Sequence, residues 1–510
     1  MSIQRLGSKL VKHGAETLHS FLTNLKSFTE SSIDSLGLRV GKVEEYVSGF
    51  KKVGDFAVGV TLPDSKSVVY NPKNGMYYKH DNAPYTIKEG DVVTSFGFRC
   101  VGLLRGYPLG DVRNWSTLPS ATTPTDIANN TSVLQLMFDS LGDKGVAIFP
   151  EGITTRFNTL WIRNRDFTVC GSGVLDGTLK VCCPTFATSP DIYMNCTIKD
   201  VTFETTRGLN DAIQMAYARM GTITNIKDVR GFSNFIRVMA VKEAGGTQQV
   251  AWGQHCNRWI VSNCHYGASG VLGKTVERFI QSDLDDLAKF PIADWIVQGN
   301  EGHATHDHVV LSMIDGFTLD SNIMFFPGYQ TRSQTKRSHL RVERGGGWLQ
   351  VSNNKFFESG GASVYLSGCS RFELHDNLYA FGSQRLPEAQ ILATGTPLAG
   401  DKFTQASIHN EHIVSCGGAG IQVASGNGRM KLHDCNIQSP GDTQYYYGTA
   451  QQYQIGISVA ANTLAVEVYN NTTREANNSL AEVSNNIYRN NVIDKLSSGH
   501  GLTVQTTQRA

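Results

Sequence analysis

The feature that most constrains this chain is a short pattern that returns at a fixed distance. Trp348-Leu349-Gln350-Val351-Ser352-Asn353-Asn354-Lys355-Phe356-Phe357 alternates apolar and polar residues, stops at an Asn pair and resumes. Arg371-Phe372-Glu373-Leu374-His375-Asp376-Asn377-Leu378-Tyr379 does the same, with Asn377 twenty-three positions after Asn354. Strict alternation predicts half-buried strands rather than helix. A repeat of twenty-odd residues predicts stacked units, because one such unit can bury its apolar side only against its neighbours. An Asn at the same point of each unit can donate and accept along the stack. The expected fold is all-β, a right-handed parallel β-helix, with handedness supplied by the crossover rule.

Bulk properties narrow the partners. Lys+Arg 46 against Asp+Glu 45 leaves a net charge of +1, so no charge excess argues for nucleic acid or an anionic membrane surface. No apolar run reaches the length of a membrane span. The start, Met1-Ser2-Ile3-Gln4-Arg5-Leu6, lacks the apolar segment of a signal peptide, which points to synthesis in a cytoplasm without export. The 51 glycines suit a turn-rich β chain. Ten irregularly spaced cysteines read as reduced core residues rather than a disulfide framework.

Four regions are expected. Residues 1–50 carry apolar residues at helical spacing (Leu10, Val11, Ala15, Leu18, Phe21, Leu22, Leu25, Phe28) and form a helical cap, trimerising or docking segment. Residues 51–118 read as a small β-rich domain with strands at Val58–Leu62, Ser67–Tyr70 and Val92–Phe96. The linker is Ser116–Thr125. Residues 119–440 are the β-helix, entered through an amphipathic helix at Ser132–Leu141 that plugs its open end, then a strand at Gly145–Gly152. Further coils follow from two spacings: Ile198–Val201 recurs as Ile226–Val229, and Trp259–Val261 as Trp295–Val297, with the extra length looped around Thr275–Phe290. Residues 441–510 are last coils or a C-terminal tip.

The order helix, Phe149-Pro150-Glu151-Gly152 strand and coils resembles the start of pectate-lyase-like β-helices. Residues 126–440, above all Phe325-Phe326-Pro327-Gly328-Tyr329-Gln330, Phe356-Phe357-Glu358-Ser359-Gly360 and Gly382-Ser383-Gln384-Arg385, resemble phage tailspikes that degrade capsules and O-antigens. The resemblance implies a homotrimer on a virion, attached to a phage tail or baseplate protein through its N-terminal region, with catalytic carboxylates in a groove. It implies neither membrane insertion nor a nucleic-acid partner.

Glycoside hydrolysis needs one protonated and one ionised carboxyl flanking the scissile bond. The candidates are Glu358 before a Gly pair, Asp320 before an Asn turn, and Glu301 and Asp307 in a polar loop; two of these are expected to form the pair. Each is otherwise a solvated turn carboxylate. Trp348, Tyr329, Tyr365, Tyr379 and Arg385 are expected to bind sugar, with His339 and the basic residues Arg332, Lys336 and Arg337 recognising an acidic one. The same cations also suit a polysaccharide lyase, which neutralises a uronate and removes its α-proton. Alternation places Leu340, Val342, Val364, Leu366, Phe372 and Leu374 inside, with His339, Arg341, Glu343, Tyr365, Glu373 and His375 outside. His303-Ala304-Thr305-His306-Asp307-His308 approaches a zinc-hydrolase motif, but Thr305 occupies a ligand position, so no metal or other cofactor is expected. A depolymerase that hydrolyses a bacterial surface polysaccharide is the leading expectation; a lyase, a non-enzymatic receptor-binding spike and a bacterial β-helix enzyme are its rivals.

Overall fold

The structure, a computed structural model, describes residues 50–510 other than 106, 183–192, 241–255, 268–274, 284–291, 328–336, 387, 396–404, 425–428, 441–454, 461–462, 464, 477, 482–486, 497–501 and 509–510. The helical spacing within residues 1–49 and the site candidates Tyr329, Arg332 and Lys336 lie outside the described residues. The chain divides into two compact units, Met1–Trp115 and Ser116–Ala510.

In the first unit a four-stranded sheet runs in the order Lys51–Asp55, Ser67–Asn71, Met76–His80, Phe98–Gly102. Its first pair is parallel and the others antiparallel. Val68, Val69, Tyr78, Val101 and Trp115 fill its core. The expected strand at Val92–Phe96 is a turn region instead, with Val92 and Phe96 exposed. The apolar residues of that run face water, so alternation there signalled no sheet. The strand expected at Val58–Leu62 shortens to Thr61–Leu62.

The second unit is a right-handed parallel β-helix. Its entry helix spans Pro124–Leu141, eight residues earlier than the apolar periodicity suggested. Thr123 caps it by accepting from the Asp126 N–H, and Pro124 takes the first turn, where no N–H is required. Leu134, Met137 and Phe138 are fully buried, Phe138 against Phe167 at 5.1 Å.

Each coil then contributes one strand to each of three stacks. The first stack includes Ile292–Gln298, Ile314–Asp320, Gly346–Ser352, Arg371–His375, Gln405–His409 and Met430–His433. The second, of shorter strands, includes Glu301–His303, Ile323–Phe325, Lys355–Phe357, Leu378–Ala380, His412–Cys416 and Asn436–Pro440. The third includes Arg278–Ser282, Val309–Leu311, Leu340–Val342, Val364–Ser367, Ile391–Thr394 and Ile421–Val423. Successive strands pair in parallel within a stack. Beyond residue 441 the coils continue through Ile455–Val459, Glu467–Tyr469 and Thr472–Ala476, and an antiparallel pair, Ile487–Leu496 with Leu502–Gln508, closes the order.

The first and second stacks meet at a two-residue corner. Its first residue takes positive φ (Asn263, Gly299, Ser321, Asn353, Asp376, Asn410, Asp434, Asn470), a conformation that Asn, Asp and Gly tolerate best. Its second residue points inward and forms the ladder. Asn300 donates its N–H and Nδ2 to Asn322 Oδ1, Asn322 to Asn354, and Asn354 to Asn377, all at 2.9–3.0 Å. The run then changes chemistry, since Asn377 donates to the buried carboxylate of Glu411 at 3.0 and 3.1 Å.

Two of the three expected spacings match the register. Asn354 and Asn377 are ladder neighbours, and Trp259 lies 6.3 Å from Trp295. The third slips by three residues: Ile198 pairs with Ile223, not Ile226, because Asp200 and Asn225 are the equivalent corners. The supposed loop at Thr275–Phe290 contains the third-stack strand Arg278–Ser282. The nine described cysteines are free thiols, all but Cys170 buried.

Candidate functional site

The in/out alternation holds along strands and fails at corners. Leu340, Val342, Val364, Leu366, Phe372 and Leu374 are buried, while Glu343, Tyr365, Glu373 and His375 face outward. His339 is corrected from outside to fully inside. Just before the third stack the chain turns inward for two residues running, as at His308–Val309, and the rings of His308 and His339 stack 5.4 Å apart in the core. His339 shares a hydrogen bond with Ser363 Oγ at 3.0 Å, and His308 with Tyr266 Oη at 2.6 Å. Burial pushes His308 down to about 3 and His339 well below the usual histidine range, so both rings are neutral core groups. Tyr379 is likewise corrected: the Asp376–Asn377 corner reverses the alternation, and its ring packs inside at 5.3 Å from Phe356. Neither residue can touch a polysaccharide.

The four candidate carboxylates separate toward two corners. Asp320 faces Gln298 across adjacent coils, and Glu301 opens the second stack three residues after Gln298, so both border the Asn corner. Burial alone would raise Asp320. Hydrogen bonds from Asn353 Nδ2, Ser352 Oγ and Ser321 Oγ outweigh it and hold the carboxylate below the usual range. Glu358 occupies the next corner, at positive φ beyond Lys355–Phe357, in line with Phe326 and Phe381. It is half-buried, and desolvation raises it above the ordinary glutamate value.

Asp307 leads to the third stack and is no solvated loop carboxylate. It is buried, accepting from Ser338 N at 2.7 Å, Arg337 Nη1 at 3.2 Å and Arg341 Nε at 3.3 Å. Around these groups a polar pocket opens on the outer side of the third stack, lined by Arg278, Gln281, Asp307, Arg337, Arg341 and Glu343. Tyr365 extends it, with the Arg341 guanidinium 4.9 Å from its ring centre. Gly361, three residues after Glu358, donates to Arg337 O, and Arg385 donates through its N–H to Gly360 O.

A second surface lies on the first stack. Trp348 is 64% exposed at positive φ, and Arg371 stands 5.1 Å over its ring. Gln350, Glu373 and Gln405 complete a shallow pocket with them. Beside it run stacked rings, His375, His409, His433 and Tyr469, spaced 4.7–5.1 Å. Sequence reasoning named Trp348, Arg337 and Asp307, which line these pockets, and Tyr365 as candidates. It missed Arg278, Gln281 and the pocket roles of Arg341 and Glu343, because nothing local says that strands some thirty residues apart stand side by side. Among the described residues no group of His, Cys, Asp or Glu side chains is arranged to hold a metal ion. No described helix is long and apolar enough to cross a membrane.

The class that this architecture defines is the right-handed parallel β-helix. Neither a protein-family model nor a curated protein matches the chain. Its neighbours among solved structures are phage tailspikes and other β-helix proteins. A mutant tailspike protein of E. coli bacteriophage HK620 in complex with a pentasaccharide is 10% identical, over 75% of this chain and 66% of that chain, with a TM-score of 0.43. The Streptococcus pneumoniae surface protein and adhesin PfbA is 11% identical, over 74% and 99%, at 0.40. The catalytic unit of a GH87 alpha-1,3-glucanase from Streptomyces thermodiastaticus is 10% identical, over 78% and 69%, at 0.37.

Proposed function

We propose that this chain is a phage tailspike, a homotrimer on the virion, that binds a bacterial capsular or O-antigen polysaccharide along its third stack and hydrolyses it. The observation that carries the reading is the polar, guanidinium-lined pocket on that flank. Glu358, at the corner before the third-stack strand Val364–Ser367, is held toward its protonated form by desolvation. A solenoid flank suits an extended polymer, because rigid strands hold side chains at about 4.8 Å intervals along the stack.

In this reading Glu358 donates a proton to the leaving glycosidic oxygen, and Glu343, the exposed carboxylate of the pocket, activates water, while Asp307 stays engaged by Ser338, Arg337 and Arg341. Arg385 and Tyr365 contact the bound chain. Asp320 and Glu301 belong to the other corner, where Asp320 is engaged by its three hydrogen bonds. Trp348 serves as a separate sugar-stacking contact on the first stack. Residues 1–49 join the phage tail or baseplate.

The test is incubation with capsular and O-antigen polysaccharides from a panel of enteric strains, read by product size and mass. Fragments carrying one added water support hydrolysis, and Glu358→Gln is expected to remove them while leaving the melting temperature in place. One observation favours a second reading: three guanidiniums line the pocket and one packs on Tyr365, an arrangement that suits uronate neutralisation and proton removal. Fragments with unsaturated, ultraviolet-absorbing ends would replace hydrolase by lyase. Retention of intact polymer across the panel would replace both by a binding spike.

A further inference from the structure

The pocket on the third stack contains hydrogen-bonding groups that the protein does not satisfy. Arg341 is only 8% exposed, and its Nη2 is buried without an acceptor. The buried Nε of Arg337 is in the same state, and so is the Oε1 of Gln281, which lacks a donor. Gln281 is otherwise anchored through Nε2 to Asp283 at 3.2 Å. A buried donor or acceptor without a partner is costly, so three such atoms around one opening are expected to have partners in the bound state.

Their chemistry restricts the ligand. Two guanidinium N–H groups ask for an anionic oxygen acceptor, and the amide oxygen asks for a hydroxyl or other donor. Arg278 is paired with Glu277 at 3.6 Å, while Arg337 and Arg341 share the one buried carboxylate of Asp307. Two guanidiniums on one carboxylate suit a further monoanion. A group presenting one carboxylate beside a hydroxyl is the acid end of an acidic sugar.

We propose that this pocket is a carboxylate subsite, in which Arg341 and Arg337 hold the acid group of a uronic-acid-type residue and Gln281 accepts from a neighbouring hydroxyl. The proposal rests on reading the third-stack flank as the polysaccharide face. The buried Asp307 accepts from both guanidiniums, so their remaining N–H groups are oriented before the sugar arrives.

The test uses the full chain and has two arms. In the first, thermal unfolding is followed with sodium glucuronate, glucose or sodium phosphate at matched ionic strength. Glucuronate is expected to raise the midpoint, glucose to leave it unchanged and phosphate to act more weakly. Arg341→Gln should weaken glucuronate binding roughly 10- to 100-fold. Arg341→Lys keeps a cation beside Asp307 but loses the fork, so it should fold and show a similar loss. Equal responses to glucuronate and glucose, equal responses of wild type and both variants, or a phosphate response as large as that of glucuronate would overturn the inference.

The second arm compares acidic polysaccharides with the same polymers after their carboxyl groups are reduced to alcohols. Action on both forms alike overturns the carboxylate subsite and leaves the depolymerase reading standing. An Arg341-dependent glucuronate response, with every polymer left intact and unbound, supports the subsite and removes the depolymerase reading.

Discussion

Replacing Asn354 by Ala tests how much of the fold hangs on the corner ladder. The Asn354 side chain makes four hydrogen bonds: Oδ1 accepts from Asn322 N and Nδ2, both at 2.9 Å, and Nδ2 donates to Leu319 O at 2.8 Å and Asn377 Oδ1 at 2.9 Å. Asn322, Asn354 and Asn377 are at most 1% exposed, so water cannot take over the broken bonds without opening the corner. At about 1 kcal/mol for each bond, with an added 1–2 kcal/mol for the Asn322 N–H left without an acceptor, the loss is about 5–6 kcal/mol. The neighbour supplies the control. Asn353 is exposed, its Nδ2 makes one bond to Asp320 Oδ1, and its main cost on truncation is the positive φ of 57°. Asn353→Ala is therefore expected to lose only about 1–2 kcal/mol. Denaturant titration of wild type and both variants, compared at one common denaturant concentration, measures the difference. For a unit of this size the Asn354 effect corresponds to roughly 5–8 °C in melting temperature if the coils unfold together. Equal losses for the two variants, or an Asn354→Ala cost below 1 kcal/mol, would refute the ladder as a source of stability.

Three further outcomes follow from the same geometry. Glu411 is fully buried and held well above the ordinary glutamate value by burial, so its contribution is complete below about pH 4.5 and declines as pH rises toward its folded value. Glu411→Gln should thus gain stability relative to wild type as pH rises above that value, as read by denaturation at several pH values; a pH-independent difference would exclude the ionisation. If Glu358 is the proton donor, the rate of cleavage should fall on the alkaline side as its raised carboxyl ionises, and Glu358→Gln should lower kcat about 10²- to 10⁴-fold with binding retained. Trp348→Ala should weaken polysaccharide binding roughly three- to tenfold with little change in melting temperature, because the ring is mostly exposed; an unchanged dissociation constant would take Trp348 out of recognition.

The architecture was legible because its cause is local. Alternation in Leu349–Val351 and Phe372–Leu374 marks strands, and the Asn pair of residues 353 and 354 encodes both a left-handed corner and an inward hydrogen-bonder. Neither signal needs a partner to be recognised, and their recurrence implies the stack. Outward projection of Tyr365 and Glu373 followed from the same periodicity. What periodicity does not contain is the phase after each corner. Tyr379 and His339 were misplaced because each corner introduces a one-residue offset into a period of two, sending the next side chain to the opposite side. The ladder's change from Asn377 to Glu411 was also hidden, since a charged residue is normally read as exposed.

The pocket depended on tertiary structure throughout. Arg278, Asp307 and Arg341 come from three successive coils, separated in sequence by loops of unequal length, and become neighbours only when register brings Gln281, Val310 and Arg341 into one row. The sequence alone determined that this chain is a stack of coils with an Asn-lined corner, because that information repeats in each unit. Only the folded stack decided which charges meet, because lateral contacts between coils depend on register, and register depends on every corner and loop that precedes them.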